Sequence, residues 1–305
     1  MFVHAHPDDE SSKGAATMAK YAKEGHRVSV VTLTDGGAGD ILNPAMDRPG
    51  VAQRITEIRE QELARALEII GVTDHFFFGY PDSGYHEDFD GDGSVLADDA
   101  FFNVDIDEVV GRLVELIRRV RPDVLLTYPE GGGYPHPDHI RCHDVSAAAY
   151  AAAADPEQFP GAGAPHEVSK LYYMGVFTKR KLEALHQACL DRGMESPFTE
   201  WLQRWDSDYT DPTTTRIDVG DHLSTARQAL LAHATQIDPD GRWFTLPDDV
   251  IREVYPWEEF ELAETRVDTS LPEDSLFAGV AGHYGSGGAR SDSEGNPSSP
   301  EARTP

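Results

Sequence analysis

Through the first 130 residues, short apolar strand-like segments alternate with amphipathic helices, and this alternation narrows the fold more than any single motif does. The strand-like segments are FVHAH, RVSVVTLT, DHFFFG and DVLLTY. Strands so continuously apolar are buried on both faces, as in a parallel sheet covered by helices. One helix is expected over SSKGAATMAKYAKEG, with Met18, Tyr21 and Ala22 on one face and Gly25 as its stop, and another from about Val51 to Ile70. A third runs from about Asp105 to Val120, where Ile106, Val109, Val110, Leu113, Leu116 and Ile117 recur every three or four residues before Arg121-Pro122 ends it. The expected fold class is α/β, a Rossmann-like, mostly parallel sheet with helices on both faces plus a smaller irregular C-terminal subregion. A single catalytic domain is expected over 1–280, with a core of about 1–165. A subregion of about 166–280 follows, holding a strand-like KLYYMGVF, a helix from about Lys179 to Arg192 and an irregular stretch around LSTARQALLAHATQIDP. The apolar-poor residues 281–305 read as a disordered tail.

Ligands of such sheets bind beyond the carboxyl ends of the strands. The segments there are HPDDESSK, DGGAGD, YPDSGY and PEGGGYPHPDH, rich in Gly, Asp, His, Tyr and Pro. A catalytic zinc site takes three ligands from His and Asp or Glu and leaves a position for water. His6 and Asp9 are close enough along the chain to turn toward one ion, and the third ligand has candidates in His136, His139 and His143 of YPHPDHIRCH. Asp8 is then spare, a carboxylate beside the water whose proton it would accept. Alone, the first segment also reads as an acidic helix cap. Two His/Pro/Asp segments at two strand ends are hard to explain as caps.

The chain carries 54 acidic against 26 basic residues, a net charge of −28 that repels nucleic-acid phosphates and favours a neutral or cationic small substrate, or a bound cation. It has no stretch approaching the roughly 18 apolar residues of a membrane helix and no signal-peptide pattern at its start, so no membrane association and a cytoplasmic location are expected. Cys142 and Cys189 lack zinc-site spacing and read as reduced thiols.

AHPDDE near the start and PHPDH some 130 residues on resemble the LmbE-like or PIG-L superfamily of zinc-dependent N-deacetylases and amidases. HAHPDDESSKGAATMAKYA, ILNPAMD, GGYPHPDHIRCH, VSKLYY, LLAHATQIDP and WEEFELA resemble its mycothiol S-conjugate amidase branch, over almost everything except the tail. The resemblance implies His6, Asp9 and His139 as zinc ligands, with Fe2+ also admitted by two histidines and one aspartate. It implies Asp8 as general base, His136 as donor to the developing oxyanion and Tyr134 as a mobile hydroxyl that polarises the carbonyl. Asp138 would hold one histidine in its tautomer, Gly131, Gly132 and Gly133 would let the loop flex, and His4 and His143 would be structural. The sugar and inositol would fall to Asp40, Arg59 and Asp82, where Asp40 departs from the family's glutamate. Lys13 would face the substrate and His233 would close the pocket. The implied reaction is hydrolysis of the amide of a mycothiol S-conjugate, a small pseudo-disaccharide thiol conjugate, to an N-acetylcysteine S-conjugate and glucosaminyl-inositol. The alternative is deacetylation of N-acetylglucosaminyl-inositol.

Other chemistries fit less well. An amidohydrolase using His4 and His6 needs an eightfold barrel, a serine hydrolase needs a G-x-S-x-G elbow, and a mere sugar binder has no use for Asp8 and His136. DFDGDGSVLADD, Asp88 to Asp99, places Asp88, Asp90, Asp92, Gly93 and Asp99 at the 1, 3, 5, 6 and 12 spacing of a Ca2+ loop. It lacks an N-terminal flanking helix and ends in Asp, so a solvated acidic insertion is the plainer reading.

Overall fold

The computed structural model describes residues 1–282 except 73, 88, 175–177 and 206–209, and the backbone but not the side chain of Arg242. Asp88 of the acidic stretch and residues 283–305 of the expected tail therefore lie outside the described residues. Strands β1 (Phe2–His4), β2 (Ser29–Thr34), β3 (Asp74–Tyr80), β4 (Val124–Thr127), β5 (Lys170–Met174), β6 (Thr215–Asp218) and β7 (Trp257–Thr265) form one sheet, in the order β3-β2-β1-β4-β5-β7-β6. β1 to β5 pair in parallel, while β7 runs antiparallel to β5 and β6. The helices are α1 (Asp9–Ser12), α2 (Ala15–Lys23), α3 (Ile55–Ile70), α4 (Ile106–Val120), α5 (Pro137–Ala154), α6 (Lys179–Asp191), α7 (Thr199–Gln203), α8 (Leu223–Ala232) and α9 (Asp248–Val254).

The apolar runs dictate this arrangement. Every residue of β1, β2 and β4 is buried, and α4 turns Val109, Val110, Leu113, Val114, Leu116 and Ile117 inward. Each such side chain contributes about 1.5–3 kcal/mol on full burial. The ends of α4 are set locally: Asp105 accepts the Asp107 N–H at 3.0 Å, and Arg121 leaves the helix in the left-handed conformation at φ 56°.

The C-terminal part is more regular than expected. LSTARQALLA is helix α8, and β6 and β7 extend the sheet as an antiparallel flap. Beside the main core a second apolar cluster joins α6, α7 and α9 through Leu182, Leu185, Phe198, Leu246 and Val250. At the start of β5, the fully buried Lys170 ammonium meets Glu273 at 2.5 Å. Tyr172 donates to Glu273 at 2.5 Å, Thr215 at 2.9 Å, and Thr269 donates as well. No helix among the described residues is long and apolar enough to cross a membrane.

Candidate metal and active site

The sheet order reverses between β1 and β4: β2 and β3 build outward from one, β5 from the other. A crevice at such a switch point is where open α/β sheets bind ligands. The segment after β1 brings His6, Asp8 and Asp9 there, and the segment after β4 brings Tyr134, His136, Asp138 and His139. Asp8 sits at φ 128°, a conformation non-glycine residues rarely adopt and one that active sites retain at a cost. Gly14, at φ 97°, lets the chain turn from α1 into α2; a Cβ there would lie 3.0 Å from the Phe2 ring.

His6, Asp9 and His139, all buried, offer ligand atoms within 4.8 Å of one another. Asp9 Oδ2 lies 3.3 Å from both His6 Nδ1 and His139 Nε2. The opposite ring nitrogens are committed. His139 Nδ1 donates to the Gly132 carbonyl at 3.1 Å, and His6 Nε2 donates to Asp138 Oδ2 at 3.1 Å, an oxygen that also accepts from the Ser83 N–H. Each imidazole therefore turns its lone pair toward Asp9, and the outer partners fix the tautomers as in metal-binding histidines. The donor set, two imidazoles and a carboxylate, fits zinc or ferrous iron. A second trio, His6, Asp82 and His136, is equally close, but it would use the His6 nitrogen already given to Asp138. Gly132 is required as glycine: at φ 75°, an added Cβ would sit 2.6 Å from that of His139.

Burial opposes charge on Asp9, yet Lys13 and His139 hold its carboxyl well below the usual range. Burial, with help from Asp9, raises Asp8 despite Arg59 Nη2 at 3.0 Å. His136 accepts the Asp138 N–H at Nδ1 (3.1 Å), leaving its proton on Nε2. Burial pushes it down to about 2, so it is a neutral donor. Tyr134 is 40% exposed with its hydroxyl 3.3 Å from His139 Nε2, and burial of that hydroxyl raises its pKa.

The residues expected to bind substrate fare differently. Lys13 lines the cavity, but its ammonium is held by Asp9 at 2.6 Å. Arg59 is buried and donates to the Pro7 and Gly36 carbonyls as well as to Asp8. Asp82 accepts from the Gly84 and Ala38 N–H groups and lies 3.6 Å from His6 Nε2. Asp40 is exposed and only its carbonyl is engaged, by Gln236. His233 is fully buried and meets Glu10 at 2.7 Å. His4 packs against Tyr128 and His143 bonds the Tyr128 carbonyl, positions that suit scaffolding. In the acidic stretch, Asp90 and Asp92 accept from backbone N–H groups two residues on, and no metal-ligating cluster forms there among the described residues.

Two buried acids beside the site escaped the sequence reading. Glu10 accepts from the Asp8 N–H and from His233, and Glu62 takes both the N–H and hydroxyl of Thr235. Together they fasten the loop after α8 to the segment after β1 and to α3. The run HATQ, three polar side chains directly behind an apolar helix, was the available signal.

The family model described as PIG-L: GlcNAc-PI de-N-acetylase matches residues 1–150. A mycothiol S-conjugate amidase of Streptomyces coelicolor is 48% identical over 92% of this chain and 96% of its own length. The chain belongs to the PIG-L family. PIG-L relatives also include a 1D-myo-inositol 2-acetamido-2-deoxy-alpha-D-glucopyranoside deacetylase of Thermobispora bispora, 42% identical over 95% of this chain and 94% of that one. The N,N'-diacetylchitobiose deacetylase of Pyrococcus horikoshii shares the fold, with a TM-score of 0.58 at 17% identity over 86% of this chain and 82% of that one. As a PIG-L protein, the chain is a metal-dependent hydrolase of C–N amide bonds.

Proposed function

We propose that this PIG-L enzyme hydrolyses the amide bond of mycothiol S-conjugates, releasing an N-acetylcysteine S-conjugate and glucosaminyl-inositol. The observation that carries the reading is the 48% identity, over nearly both full lengths, to a mycothiol S-conjugate amidase, joined to a hydrolytic site in which each needed group is present. His6, Asp9 and His139 would hold zinc, or ferrous iron, and the ion supplies Lewis acidity that brings water within reach of deprotonation near neutral pH.

The chain's own groups account for the proton and the charge. Asp8 lines the cavity beside Asp9, and its raised pKa suits a carboxylate that takes a proton from the attacking water and returns it to the leaving amine. Arg59 keeps Asp8 oriented and, together with the carbonyls of Pro7 and Gly36, anchors that strained turn. His136 donates its Nε2 proton to the oxygen that becomes negative as the carbonyl carbon turns tetrahedral. Tyr134 swings its hydroxyl from His139 to the same oxygen. Asp138 fixes His6, and Lys13 fixes Asp9 at the cavity wall.

The decisive experiment compares turnover of a bimane conjugate of mycothiol with acetate release from N-acetylglucosaminyl-inositol. Faster cleavage of the conjugate is expected; acetate release alone would replace the amidase reading by the deacetylase one. Metal analysis of anaerobically purified protein decides between zinc and iron.

A further inference from the structure

Asp8 and Tyr134 open on a cavity of about 1340 Å³, larger than the roughly 300–1,000 Å³ of ordinary small-molecule sites. Asp8, Asp9, Lys13 and Tyr134 occupy one part of its wall. Another part comes from Trp201 of α7 and Ile251 of α9, which pack on the second apolar cluster, together with Trp243 and Phe244 before α9; all four line the same space. Trp201 and Trp243 meet edge to face, ring centres 6.4 Å apart and planes at 71°. Leu42 and Tyr85, 60% and 58% exposed, stand at the rim with Trp243 at 42%. Half-exposed aromatic and aliphatic side chains gathered around one cavity are costly in water and mark a place where apolar surface is received.

We infer that this wall is a separate subsite for the thioether substituent of the substrate, and that it selects bulky, apolar, preferably aromatic S-groups. The inference rests on the amidase reading. In such a substrate the amide divides the sugar from the cysteinyl part, so whatever the sulfur carries leaves the catalytic groups on the acyl side. An acetyl group needs room for one methyl; a cavity of this volume with tryptophan walls fits a much larger acyl substituent. Trp201, Trp243 and Ile251 are specificity-determining residues on this account, acting on substrate far from the reacting atoms.

The test uses two single variants, Trp201→Ala and Trp243→Ala, and two substrates, the S-benzyl and S-methyl conjugates of mycothiol. The ratio of kcat/KM for benzyl over methyl should fall about tenfold in each variant, mainly through KM. A variant that only loosens the fold lowers both rates and leaves the ratio, and an unchanged ratio in both variants overturns the proposal. Calorimetric binding of S-benzyl-N-acetylcysteine is measured alongside, because it does not depend on turnover. If the unsubstituted enzyme cleaves neither conjugate, the amidase reading fails. Weaker binding of S-benzyl-N-acetylcysteine in the variants then still supports the apolar subsite, and equal binding removes it.

Discussion

Two buried charge clusters, one around Glu273 and one around Asp9, are built in opposite ways. Around Glu273, one carboxylate receives Lys170, Tyr172, Thr215 and Thr269, so both of its oxygens are satisfied. Around Asp9 the polar groups converge without closing: two imidazole lone pairs face the same carboxylate, while Asp138 Oδ1 and Arg59 Nε are buried with no partner among the described residues. A satisfied network pins strands together; one left open at its centre is prepared to receive something. The difference shows that burial of charge alone does not mark a site.

The comparison breaks most visibly at Asp8. Replacing it by Ala should lower kcat by about 10²–10⁴-fold while metal content, read by elemental analysis, stays the same. Retained activity would remove Asp8 from proton transfer. His136→Ala comes next, costing about 10²–10³ in kcat, with KM much less affected, as steady-state kinetics would show.

How far the sequence foretells this contrast depends on the span of the interactions. The parallel half of the sheet was legible because β1, β2 and β4 are unbroken apolar runs; position after β1 and β4 pointed to His6 and Asp9 but left His136, His139 and His143 open, and only the resemblance singled out His139. β7 was hidden: WEEFELAET carries four glutamates, a residue depleted in strands. Those acids are used, since Glu258 accepts the N–H groups of Ala16 and Thr17, and Glu259 holds Arg180 and Arg216. Glu10 and Glu62 were hidden for another reason, their partners lying 223 and 173 residues away with no periodicity to connect them.

The closed cluster answers to stability, not turnover. Lys170→Met should cost about 3 kcal/mol in denaturant unfolding by leaving Glu273 buried and unpaired. Burial opposes the charge of Glu273, but Lys170 and its other donors depress its pKa below 4.5. A depressed carboxyl stabilises the fold above its unfolded value and loses that contribution as pH falls through the folded one. The stability gap between wild type and Glu273→Gln should therefore be full above pH 4.5 and shrink on acidification.

The open cluster should respond to metal instead. Zinc at 100 times its Kd adds about 2.7 kcal/mol, seen as a higher Tm that a chelator reverses, and His139→Ala should abolish the gain. The smallest effect is expected at the acidic stretch, where millimolar calcium should leave Tm unmoved; a clear rise would make Asp88 to Asp99 a calcium loop after all.

The clasps Glu10–His233 and Glu62–Thr235 also impose an order in time. Chains emerge from the ribosome N-terminus first, at about 5–20 residues per second. His6, Asp8 and Asp9 are thus made early, yet the turn that aims Asp8 is fastened only when position 233 arrives. A nascent chain should remain catalytically silent long after the residues proposed to bind metal and accept the proton exist, and become competent late in synthesis.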